Sequence, residues 1–199
     1  MRFDMFHSAK VFLAAALLSL VASVSSAATV GYTAQVRGNS DGFSNFAIAM
    51  TDAVFSNGVI SGWETWVQAI DGNAATGSMA LLVLNDAGGG NYNVVGVDSR
   101  TVVAGLNTFT SNITVAAGNI LAIWMGDAKV AFDYSGSGAG PYSNNGAFGA
   151  APGGTIALIA GSSSRYYSIN TTVVPLPAAG LLLLGALGGL AALRRRKSV

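Results

Sequence analysis

Glu64, Trp66 and Gln68 occupy alternate positions in a run, Trp63 to Ile70, that reads as a β-strand. Side chains in a strand alternate faces, so these three share one side while Trp63, Thr65, Val67 and Ala69 share the other. A flat aromatic ring beside a carboxylate and an amide can stack on a sugar and hydrogen-bond its hydroxyls. Tyr166 offers a second ring. Along Arg165 to Val173 it aligns with Ser168, Asn170 and Thr172, whereas Tyr167 aligns with Ile169, Thr171 and Val173. Glu64, Trp66, Gln68 and Tyr166 are therefore the glycan-binding candidates. Trp124 lies in a run that is apolar on both faces, Ile120 to Met125, and is assigned to the core.

Three turns present oxygen atoms that could meet Ca2+: Asn39 to Gly42 with Asp41, Asp71 to Asn73 with Asp71, and Asn85 to Asn91 with Asp86. Calcium takes about six to eight oxygens, and none of these turns has the ligand spacing of an EF-hand loop. Asp and Asn beside Gly are also ordinary turn formers, so turn chemistry is the preferred reading and no cofactor is expected. A glycosidase needs two carboxylates flanking the scissile bond. Glu64 is the only Glu in the chain, and no spacing selects a second acid for it. The single histidine is His7, and there is no cysteine. Ser-His-Asp and Cys-His nucleophiles, the usual zinc sites and a disulfide framework all drop out of consideration. No catalytic residue is assigned, and the chain is read as non-enzymatic.

The elements that must position these residues are strands. Val30, Tyr32, Ala34 and Val36 alternate with smaller or polar residues, as do Phe46, Ile48 and Met50. Asn57-Gly58 is a tight-turn signal. Met79 to Leu84 is continuously apolar, which suits a strand buried on both faces. Tyr92 to Val97, Thr101 to Val103, Thr108 to Val115, Ile120 to Met125, Lys129 to Phe132, Thr155 to Ala160 and Arg165 to Val173 complete the set, and Ser135 to Gly154 reads as a long loop. Ten or eleven short strands with frequent turns predict an all-β antiparallel sandwich of jelly-roll type over residues 28–173.

The ends have a different character. Arg2 and Lys10, the apolar stretch Val11 to Val24 and the small residues Ser25 to Ala28 predict a secretory signal peptide over residues 1–27, cut by signal peptidase after Ala27 or Ala28. At the other end, Leu176 to Leu193 is a run of 18 residues with no charge. As a helix it would be about 27 Å long, enough to cross a thin bilayer. Arg194, Arg195, Arg196 and Lys197 follow it as a stop-transfer cluster that keeps this end cytoplasmic.

The segment 174–199, with Val174-Pro175-Leu176-Pro177-Ala178, a Leu-rich run and the terminal basic cluster, resembles the Val-Pro-Leu-Pro-Ala type of PEP-CTERM sorting signal. The resemblance implies recognition by an exosortase, a transpeptidase-like enzyme in the inner membrane, and removal of the helix during export. It also implies a cell-surface or extracellular-matrix (biofilm) setting, often alongside exopolysaccharide. The stretch Asn91 to Asp127 is similar to β-sandwich modules of secreted proteins, although many of those carry Asp where this chain has Asn119.

With both ends set aside, the body keeps Arg37, Arg100, Lys129 and Arg165 against Asp41, Asp52, Glu64, Asp71, Asp86, Asp98, Asp127 and Asp133. That is four positive and eight negative charges, a net of −4, against +1 for the whole chain. An acidic body lacks the basic surface that nucleic acid requires.

Overall fold

The computed structural model describes residues 26–41, 43–69, 76–134, 140, 142–143, 151–158 and 165–176. Residues 1–25 of the predicted signal peptide, Asp71, the sorting-signal residues Pro177 and Ala178, nearly all of the apolar run and the terminal basic cluster lie outside the described residues. Ala27–Pro175 forms one compact unit.

The fold is all-β and antiparallel. A four-stranded sheet has the order β1 (Ala28–Gly31), β13 (Ile169–Val174), β4 (Gly58–Val67), β7 (Gly105–Val115). A six-stranded sheet runs β10 (Tyr142–Ser143), β3 (Phe46–Val54), β8 (Ile120–Met125), β5 (Gly77–Gly88), β6 (Asn91–Val102), β11 (Thr155–Ala157). A small third sheet joins β12 (Arg165–Tyr167), β9 (Ala131–Tyr134) and β2 (Asn39–Ser40).

The two larger sheets bury one core between them. Ile60, Trp63, Val67, Ile169 and Val173 come from the four-stranded sheet; Ile48, Met50, Met79, Leu81, Val83, Leu121 and Ile123 come from the six-stranded one. Alternation along β4 decides which residues enter. Pairing slips register around Ser61, so Gly58 and Ile60 face in before the slip and Trp63, Thr65 and Val67 after it. Met79 to Leu84 is buried throughout. Its second face joins Ala47, Ala49, Ala122, Val94, Tyr92 and Leu158 in a separate apolar cluster. Trp124 packs against that cluster while only partly buried.

Trp63 also ties the two sheets together. Its Nε1 donates to Asp98 Oδ2 on β6 at 2.9 Å, its ring lies 4.5 Å from that of Phe109, and Arg100 covers Phe109 at 5.5 Å. Arg100 grips Asp98 through Nε at 2.7 Å and donates from Nη2 to the Thr110 carbonyl at 3.0 Å. A charged side chain thus covers the middle of β7, an edge strand with no charged residue of its own.

Several elements differ from the sequence expectation. Residues 32–38 are not strand. After the Tyr32 N–H donates to the Ile169 carbonyl at 2.7 Å, the chain leaves the ladder and is tied to Gln68, just past the end of β4, and to Ser168, just before β13. Tyr92–Val97 and Thr101–Val103 belong largely to one long strand, β6. The Asn57-Gly58 turn does not close a hairpin: β3 pairs with β8 and β4 with β7, so the turn carries the chain from one sheet to the other. Asn57 Oδ1 accepts the Ala117 N–H there.

Candidate functional site

The outer face of the four-stranded sheet is where the sequence-derived candidates can be placed. Glu64 and Trp66 both point outward and are half-buried, while their strand neighbours Trp63, Thr65 and Val67 are buried. The register builds rows across this face. Asn170 stands opposite Glu64 on one side and Thr108 on the other. Thr172 and Thr110 flank Gly62 in the next row. Leu106 stands beside Trp66 and is exposed to 51%. Glu64 Oε1 accepts a long bond from Thr108 Oγ1 at 3.4 Å. Gly62 leaves the centre of that third row without a side chain, and a Cβ there would sit 2.8 Å from the Phe109 carbonyl oxygen. The result is a patch with Trp66 and Leu106 in one row, Glu64 and Thr108 beside the buried Asn170 in the next, and the Thr172 and Thr110 hydroxyls in the third.

Gln68 is tied down by the strap of residues 32–38, and Tyr166 lies off that sheet in β12 of the small third sheet, because the strand expected over Arg165 to Val173 breaks at Ser168. Gln68 Nε2 donates to the carbonyls of Arg37 at 2.7 Å and Asn39 at 3.2 Å, and its Oε1 accepts the Arg37 N–H at 3.2 Å. All of its amide chemistry is engaged in fixing the strap. Arg37 reaches on to Ser168 Oγ and Asp133 Oδ2, the latter at 3.1 Å, and Ser168 Oγ donates to the Gln35 carbonyl at 2.7 Å. The Gly38 N–H and Arg37 together hold the Asp133 carboxyl below the usual carboxylate range, the N–H contributing most. Tyr166 is half-buried against Tyr32, with ring centroids 4.5 Å apart. Tyr32 donates to Asp52, and burial first, then this carboxylate, pushes its hydroxyl well up. Of the four sequence candidates, Glu64 and Trp66 therefore share one open surface, while Gln68 and Tyr166 help to anchor the strap. Leu106, Thr108, Asn170 and Thr172 were not among them. The alternation of Leu106, Thr108 and Thr110 was visible in the sequence, but only pairing register sets them beside Trp66 and Glu64.

The acidic turns are engaged in local structure. Asp41 is fully buried; its Oδ2 meets Arg165 Nη1 at 2.8 Å and accepts from the Tyr167 hydroxyl, and its Oδ1 accepts the Phe43 N–H at 3.0 Å. Arg165 lies 4.6 Å from the Phe132 ring centroid, 5.6 Å from that of Phe43 and 5.8 Å from that of Tyr134. Burial foremost, with the Asp41 charge added, keeps the Tyr167 hydroxyl protonated far above its ordinary range. Asp86 Oδ1 accepts the Gly88 N–H at 2.8 Å at the head of the β5–β6 hairpin, where Gly88, Gly89 and Gly90 all have positive φ. Among the described residues, no three His, Cys, Asp or Glu side chains converge as a metal site would require. An open groove of about 560 Å³ runs between β6 and β7, lined by Val95, Val97, Asn112, Ile113, Thr114 and Asn119, none of them titratable.

No family model, curated protein or solved structure matches this chain.

At the C-terminal side, Val174 is the last residue of β13, paired with Val59 and 41% exposed; Pro175 is half-buried and Leu176 exposed. Among the described residues no helix is long and apolar enough to cross a membrane.

Proposed function

We propose that this chain is an exported, exosortase-sorted protein of the cell surface or extracellular matrix, with a non-enzymatic jelly-roll body. The observation that carries the reading is the ordered tail: Val174 to Ala178, an uncharged run and a basic stop. The predicted leader gives the same topology, with the body outside the inner membrane. Signal peptidase and exosortase are its processing partners.

The jelly-roll assignment is supported by nested pairing. β5 pairs with β6, β4 with β7, β3 with β8 and β1 with β13. That is one long two-stranded ribbon wound into two sheets, which is how a jelly roll is built. The non-enzymatic reading rests on the sequence, which has no Cys, a single His at position 7 and a single Glu for which no spacing selects a partner acid.

Fractionation tests the main reading. In cells containing exosortase, the body should leave the inner membrane without its tail, and Pro175→Ala with Pro177→Ala should retain it there. A full-length wild-type product that stays in the inner membrane despite exosortase would sink the reading.

The rows around Trp66 favour a second reading, in which the outer face of the four-stranded sheet binds exopolysaccharide. Trp66 and Leu106 would stack against the sugar faces, and Glu64, Thr108 and Thr172 would take hydroxyls. Titrating the body with exopolysaccharide should quench tryptophan fluorescence, and Trp66→Ala should abolish the change. Tyr166→Ala should weaken binding much less, because its ring packs on Tyr32. Absence of binding to any polysaccharide would remove this reading.

A further inference from the structure

The two processed ends of this chain are cross-strand neighbours. Ala28 pairs with Val173, Thr29 with Thr172, Val30 with Thr171 and Gly31 with Asn170. The predicted leader cut, after Ala27 or Ala28, therefore lies on one side or the other of a residue whose partner, Val173, directly precedes Val174-Pro175. This follows from the fold. In a ribbon wound from its closed tip at β5–β6, the open ends are the last pair, here β1 and β13. β13 is also an inner strand, with β4 on its other side and Val174 paired to Val59. The sorting motif thus begins inside a sheet, with no linker between the last ladder pair and the first proline.

A peptide-cleaving enzyme must draw several residues around the scissile bond into an extended, unpaired form. To offer Val174 to Ala178 together with the residue before them in that form, the end of β13 has to leave β4, which pairs with Val173 and Val174, and β1, whose ladder ends at Val173. The contact with β4 is long, running from Ile169 to Val174. The contact with β1 covers only four residues, and β1 is a sheet edge with two of its residues exposed. β1 is fastened by the ladder, by Thr171 Oγ1 donating to the Val30 carbonyl at 3.2 Å and by the Tyr32 N–H to Ile169.

We infer that β1 is a latch on the C-terminal processing junction: when the new N-terminal strand docks on β13, it slows the sorting cut at Val174 to Ala178. The inference rests on the sorting reading above. It concerns access to the junction and not the bond chemistry, which stays with the membrane enzyme. In this order, removal of the leader leaves β1 to close the sandwich, and release from the membrane follows at a rate set by opening of that one edge.

Two variants of the full chain push the latch in opposite directions. Gly31 has φ +105°, and a Cβ there would sit 2.6 Å from the Ile169 carbonyl oxygen, so Gly31→Ala should loosen β1. Ala28→Cys with Val173→Cys places two thiols on directly opposed residues in a chain without cysteine, close enough for a disulfide. In membranes containing exosortase, C-terminal cutting is followed in a time course by mass spectrometry of the body. Gly31→Ala should be cut at least threefold faster than wild type. The oxidised Cys pair should be cut at least fivefold more slowly, and reductant should restore the wild-type rate. Equal rates for oxidised and reduced forms, with wild type cut normally, overturn the latch. A wild-type chain that is not cut at all overturns the sorting reading instead. Added broad-specificity protease, used without exosortase, should show the same ranking at the Val174-Pro175 segment; if Gly31→Ala and the Cys pair are attacked there at the wild-type rate, the latch is overturned independently of the membrane enzyme.

Discussion

Replacing Arg165 by Met should be among the most destabilising single changes in the body. Asp41 keeps none of its side chain exposed and Arg165 keeps 19%, so the carboxylate bears the consequence of losing its partner. Removing one member of a buried ion pair costs about 3–5 kcal/mol, because a charge is left uncompensated. Asp41 would still accept from the Tyr167 hydroxyl and the Phe43 N–H, which places the cost at the lower end, about 3 kcal/mol. Met fills much of the space beside Phe132, so lost packing adds little. The assay is urea unfolding of the mature body, followed by tryptophan fluorescence. With a slope of about 2 kcal/mol/M, the midpoint should fall by about 1.5 M. Arg165→Met combined with Asp41→Leu removes the stranded charge, and the pair should recover about 2 kcal/mol relative to the single variant. A single-variant loss below about 1 kcal/mol, or a double variant that costs the sum of both singles, would refute the argument that burial of the Asp41 charge is what makes the pair matter.

Acid should weaken the fold through Asp133 and Asp127. Both carboxyls are held down, Asp133 first by the Gly38 N–H and Asp127 first by the Ser78 N–H. A depressed folded pKa gives stability that is present above the unfolded value, about 3.9, and is lost as pH falls through the folded one. Asp133→Asn should flatten the decline in stability below about pH 4, and acid limbs that superimpose on wild type would contradict this. At the alkaline end, Tyr32, Tyr92 and Tyr167 have raised values, chiefly through burial. Their contribution is complete below the unfolded value of about 10 and is lost as pH rises above it, so phenolate absorbance should show late titrating groups whose ionisation coincides with unfolding. Arg100→Ala removes the grip on Asp98, the bond to the Thr110 carbonyl and the cover over Phe109. Arg100 is 40% exposed, so the loss should be small, about 1 kcal/mol or about 3 °C in Tm. The larger effect should be association through the uncovered β7 edge, visible by sedimentation; a sedimentation profile equal to that of wild type would argue that Arg100 does not guard that edge.

Fold class and facing were legible in the residues because alternation is a local property. Trp63, Thr65 and Val67 against Glu64 and Trp66 could be sorted into two faces without knowing what either face would meet, and Met79 to Leu84 announced a strand buried on both sides. The same local rule misread residues 32–38. Their alternating apolar pattern suits a strand, but the chain there is fastened by Gln68, Asp133 and Ser168, each more than thirty positions away in sequence. Which of two equivalent outward side chains stays open could not be read locally either. Trp66 and Tyr166 had the same credentials, and only the β4–β7 register and the break of the chain between β12 and β13 put one beside Leu106 and the other against Tyr32.

By itself, then, the sequence determined an acidic, cysteine-free strand-former with an apolar, basic-tipped tail, because composition and short-range periodicity are properties of neighbouring residues. The tertiary structure decided what lies beside what: the polar rows flanking Glu64, the burial of Asp41 under Arg165, and the pairing of Ala28 with Val173 that brings the two ends together. Those contacts join residues up to 145 positions apart, and pairing register at that range is set by how the whole ribbon winds around its core, which no local window of residues contains.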